Sequence, residues 1–206
     1  MLSKIIREKS WAVYFLTVVF GHAETLFHID LVNLNKANLG DHRSVGLWVV
    51  LLVVFVCRAL IVIWHTEDEA QQGFTSQQRE LYGFQVPYWI ERLVFYHGLR
   101  GQLILLAGLA MFGFGWAEAA FCSAVGADAI LSHFIPSLIQ RRSNAGTIPT
   151  SIVYALIAFL GVPAIIVHPW VSLVFGGQFA LIWLIVGLLG HFRPDPFLSD
   201  SENDLI

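Results

Sequence analysis

Residues 45–64 read VGLWVVLLVVFVCRALIVIW, twenty positions with a single charge, Arg58. A helix rises about 1.5 Å per residue and needs about 20 apolar residues to cross the hydrocarbon core of a bilayer. The stretch is read as a transmembrane helix, and it sets the class of the chain: an all-α, polytopic membrane helix bundle. Composition agrees. The chain is 56% hydrophobic and only 13% charged, whereas soluble domains carry about a quarter charged residues. Net charge is −3 with no basic block, which excludes nucleic acid as an expected partner and leaves the lipid bilayer. Cys57 and Cys122 sit in apolar runs and read as small core residues.

Working outward, the polar stretch NLNKANLGDHRS at 33–44 separates this helix from an earlier apolar run, about 11–32. Lys4, Arg7 and Lys9 before that run, and Gly21-His22-Ala23 within it, imitate a signal peptide. Because the apolar pattern continues past Ala23, it is read as a retained first span. On the other side, HTEDEAQQGFTSQQRELYGFQVP at 65–87 is read as a polar cytoplasmic loop. Four further spans follow, giving about six. The third ends near Phe114, and its first half carries Glu91, Arg92, His97 and Arg100; whether 88–100 spans or lies at the interface stays open. The others cover about 116–140, 150–167 and 170–191. Along the fourth, Ala119, Ser123 and Ala127 recur every four residues, as suits close helix approach, and His168-Pro169 breaks the fifth from the sixth. Residues 1–193 form one bundle, and the acidic tail 194–206 is expected to be disordered. Lys4, Arg7, Lys9, Arg79, Arg141, Arg142 and Arg193 fall on one side, against Lys36 and Arg43 on the other. Both termini are therefore expected in the cytoplasm.

Ionisable side chains inside such spans are costly and mark functional sites by default. GHAETLFHID at 21–30 holds His22, Glu24, His28 and Asp30, with Glu24 and His28 on one helical face. By depth, His22 and Glu24 fall level with Asp128 in the fourth span, with His133 nearer the cytoplasm and Glu118 nearer the outer surface. His22, Glu24, His28, Asp128 and His133 are the catalytic candidates. A desolvated carboxylate can hold its proton near neutral pH, as a general acid must. Arg58, Arg92, His97 and Arg100 fall in the cytoplasmic half and are candidates for holding a phosphate or carboxylate head group. Histidine with carboxylate suits zinc, iron or manganese, but the chain has no HExxH and no two histidines four apart. A metal stays open as a cofactor.

The segment ADAILSHFIPSLIQRRSNAGTIPTSIVYAL at 127–156 resembles the second half of the HXXEE-type membrane proteins, where a histidine-bearing helix passes through a short basic turn into another apolar helix. GHAETLFHID resembles a loose form of their histidine–carboxylate motif, with Glu24 two positions after His22 instead of paired glutamates at the third and fourth. The resemblance points to His22, Glu24 and His133 and implies a membrane fold with a polar core, not a reaction. The expected function is a membrane-embedded enzyme using acid/base chemistry on a lipid-like or isoprenoid substrate. The alternatives are a small proton-coupled carrier and an accessory membrane subunit.

Overall fold

The computed structural model describes residues 42–84, 86–87, 91–141 and 150–192. Nearly all of them are helical, and none lies in a strand. The helices are α1 (His42–Gln72), α2 (Phe74–Tyr82), α3 (Arg100–Met111), α4 (Gly115–Asp128), α5 (Ile135–Gln140), α6 (Thr150–Leu160), α7 (Val162–Val167) and α8 (Pro169–Phe192). Two wider π-helical segments, Glu91–Leu99 and Ala129–Phe134, lead into α3 and join α4 to α5. Among the described residues, three helical stretches are long and apolar enough to cross a membrane: Trp48–Gln72, Gly115–Gln140 and Pro169–Leu189.

The first of these corrects the expected loop at 65–87. After Trp64 the chain has no glycine or proline before Gly73, so nothing interrupts the backbone ladder and α1 runs on through HTEDEAQQ. Gly73 then turns the chain at φ 68°, α2 follows, and Gly83 closes it at φ 69° with its N–H on the Arg79 carbonyl. Side chains other than glycine pay for these left-handed conformations. Charge density alone made 65–87 resemble a solvated loop, but His65, Thr66 and Glu69 are buried against the bundle. Glu67, Ala70, Gln71 and Gln72 take the exposed face.

α4 lies at the centre and packs against α3, α6, α7 and α8. Its buried face is built from Ala117, Ala119, Ala120, Ala124 and Gly126, with Phe121 filling the remaining volume. Small residues let backbones approach. A Cβ on Gly126 would meet Ala158 of α6 at 2.6 Å, and one on Gly176 of α8 would rest 3.8 Å from Ala127 and 3.7 Å from Ser123. Thus two residues of the Ala119-Ser123-Ala127 stripe form the seat for α8. His168 and Pro169 break α7 from α8 as the sequence indicates.

Arg58 and Glu118 pair across α1 and α4, as do His65 and Asp128 further along both helices. α1 and α4 therefore run in the same direction. Arg58 and Glu118, expected in opposite halves of the membrane, share one level instead.

Candidate metal centre

The second level is where the chemistry gathers. His65 and Glu69 are four apart on α1, so one α-helical face carries both. Asp128 and His133 are five apart, which in an α-helix would set them about 140° apart at 3.6 residues per turn. They face the same way because Ala129–Phe134 is π-helical: a turn closed by i→i+5 hydrogen bonds aligns positions five apart. Pro136 gives a local reason for the widening. It lacks an N–H and its ring crowds the carbonyl four residues back, which belongs to Ser132. That carbonyl instead accepts from the Gln78 side-chain amide of α2 at 3.0 Å. A proline the sequence read as a kink near the helix end thus shapes the site one turn earlier.

One ligating atom from each of His65, Glu69, Asp128 and His133 lies within 4.8 Å of all the others, and all four residues are buried. His65 Nε2 stands 3.1 Å from Asp128 Oδ2, 3.4 Å from Glu69 Oε1 and 3.2 Å from His133 Nε2. His133 Nε2 stands 3.1 Å from Glu69 Oε1. Metal–ligand bonds of 2.0–2.1 Å to a tetrahedral zinc imply ligand–ligand edges of about 3.3–3.4 Å. Four of the six edges here are close to that spacing. The two Nε2 atoms face one another at 3.2 Å, so both cannot carry a proton without two N–H donors meeting in a site where His133 is 0% and His65 1% exposed. A cation between them removes the conflict, and two flanking carboxylates match its charge.

The surrounding groups orient the cluster. Trp183 Nε1 donates to Ser132 Oγ at 2.9 Å, and Ser132 in turn hydrogen-bonds the Asp128 carboxylate. Ligating carboxylates are commonly held by such partners. The His133 ring packs edge-on to His65, with centroids 4.9 Å apart, and against Phe74 at 5.2 Å. Phe74, Gln78 and Tyr82, spaced at four residues on α2, close the site from the end of α1. Tyr82 stacks on Trp183 at 5.1 Å, and burial of its phenol raises its pKa. The Tyr154 ring of α6 lies 4.5 Å from that of His65.

Asp128 and His133, two of the five catalytic candidates, are therefore brought together. His22, Glu24 and His28 lie outside the described residues, so their meeting with Asp128 stays an expectation. His65 and Glu69 were missed because the second span was ended at Trp64. Their spacing, four apart with no helix breaker between, was the signal available.

Among the described side chains, Arg58 and Arg100 each pair with a carboxylate. Arg58 is 3% exposed and spent on Glu118, with Nη2 at 2.8 Å from Oε1 in a two-pronged pair, and lies 5.0 Å above the Phe121 ring. Cys122 Sγ adds a contact to the same Glu118 oxygen at 3.3 Å. Arg100 pairs with Glu67 at 2.9 Å, and His97 is exposed. The Arg92 side chain lies outside the described residues. The Glu118 carboxylate on α4 is what Arg58 meets.

No protein-family model matches the chain, and neither a curated protein nor a solved structure matches it.

Proposed function

We propose that the protein is a multi-pass integral membrane enzyme that binds one divalent metal ion, best fitted by zinc, and hydrolyses an ester-type linkage in an amphipathic, lipid-like substrate. The observation that carries this reading is the buried convergence of His65, Glu69, Asp128 and His133. Membrane insertion is supported by the apolar belt around it: Leu173, Val174, Leu181 and Leu184 of α8 are all more than half exposed, as are Val49 and Leu52 of α1. Apolar patches of that kind mark a lipid or partner surface.

His65, His133 and Asp128 would hold the metal, with Asp128 positioned through Ser132 and Trp183. When bound there, a divalent ion would supply Lewis acidity to a carbonyl or phosphoryl oxygen and lower the pKa of water. Glu69 is the proton acceptor. It sits on the inner face of the last turns of α1, whose other face exposes Ala70, Gln71 and Gln72, whereas Asp128 is enclosed by buried Ala124, Val125 and Ala129. Glu69 takes a proton from the attacking water and returns it to the leaving oxygen, so that water and ester become acid and alcohol. Asp128 falls at the middle of the 115–140 helix, and His65 falls about two turns before the end of α1.

His65-Thr66-Glu67-Asp68-Glu69 puts carboxylates at the third and fourth positions after a histidine, the spacing that residues 21–30 lack. The relation to HXXEE-type proteins is proposed through this segment. The test is hydrolysis of a panel of lipid esters by the full chain in proteoliposomes. Turnover is expected to vanish on chelation and return with zinc, and turnover that survives complete metal removal would refute the reading.

A further inference from the structure

Tyr154 is fully buried, yet its hydroxyl makes no hydrogen bond among the described residues. Phenylalanine would fill the same volume without that cost, because an unpaired buried hydroxyl is a net penalty. The position is enforced by packing. The close approach of Gly126 and Ala158 brings α6 against the end of α4, and one turn earlier on α6 this sets the Tyr154 ring on the His65 imidazole, tilted by 45°. Asp128 and Glu69 both act electrostatically on its hydroxyl, although neither accepts a hydrogen bond from it. The phenol thus stands beside the four-residue cluster, a donor without an acceptor.

We infer that Tyr154 donates a hydrogen bond to an oxygen of the ligand that shares the metal with His65, Asp128 and His133, and so selects oxyanion-forming substrates such as carboxylic and phosphoric esters. This rests on the metal reading above. Hydrolysis of either ester class builds negative charge on an oxygen, and a preset donor in a water-poor site stabilises that charge more in the transition state than in the bound substrate. A phenol suits the position because its ring packs as a hydrophobe while its tip stays polar.

The experiment uses the full-length protein in detergent, loaded with Co(II), with acetohydroxamate as an oxyanion probe followed through the visible cobalt bands. Tyr154→Phe keeps the ring, so folding and Co(II) affinity are expected to be unchanged and the unfolding temperature unchanged or higher. Acetohydroxamate affinity is expected to fall about tenfold, the loss of one charge-assisted hydrogen bond. Equal probe affinity in the two proteins would overturn the inference and leave the metal site standing. So would a fall in Co(II) affinity, which would make the phenol a ligand, or a fall in stability with equal probe affinity, which would give the hydroxyl a partner within the protein. Absence of Co(II) binding in the wild type would overturn the metal reading and this inference together.

Discussion

Replacing Glu118 by glutamine should cost the protein more stability than any other single isosteric change in the described helices. Arg58 is 3% exposed and Glu118 6%, and α1 meets α4 through their two-pronged pair. With charge centres about 4 Å apart and an effective dielectric of about 20, the attraction is worth about 4 kcal/mol. The amide keeps the shape but removes the carboxylate charge that faces the buried guanidinium, at a cost of about 3–5 kcal/mol. Arg58→Met alone strands the carboxylate and should cost about as much. The double variant Arg58→Met, Glu118→Leu removes both charges and should recover most of the loss, because an apolar replacement of a buried pair is often neutral or stabilising by about 1–4 kcal/mol. The assay is a double-mutant cycle on reversible unfolding in mixed micelles. Single variants each within about 0.5 kcal/mol of wild type, adding simply in the double, would mean that the pair contributes nothing to joining α1 and α4.

Two further outcomes concern the site. Glu69→Gln should retain the metal at close to wild-type occupancy and lose hydrolysis by at least about a hundredfold, the contribution of a general base; loss of the metal instead would make Glu69 a fourth ligand and the centre structural. Gly126→Ala would put a Cβ 2.6 Å from that of Ala158 and should cost about 1–3 kcal/mol by overpacking. Because this contact sets α6 two residues from Asp128, metal affinity should fall with it, as equilibrium dialysis would measure.

Hydropathy alone carried the reading to helices, to the break at His168-Pro169 and to the small-residue face of α4, because those features depend on local composition and on a period of four. It also marked Asp128 and His133 as costly groups in an apolar run. It failed where a helix changes its surroundings without changing its backbone. Residues 65–72 are highly polar, yet one face of that turn is buried by α2, α4 and α6, and only the i,i+4 spacing of His65 and Glu69 hinted at it. The alignment of Asp128 with His133 was less accessible still. In a regular α-helix their spacing argues against a shared site, and it becomes productive through the π-helical turn before Pro136. Arg58 was misread for a related reason: its partner Glu118 is sixty residues away, and depth counted from assumed span ends placed the two in different halves.

The central claim is that His65, Asp128 and His133, from two parallel helices, hold one metal ion with Glu69 beside it. X-ray absorption at the zinc edge, with metal content measured on the same purified full-length protein, tests it most directly. The account predicts about one zinc per chain with a first shell of nitrogen and oxygen at about 2.0–2.1 Å, imidazole scattering from His65 and His133, and loss of the metal in His65→Ala and His133→Ala proteins that remain helical. Protein that stays metal-free in the presence of excess zinc, or that binds it equally well without both histidines, would contradict the account.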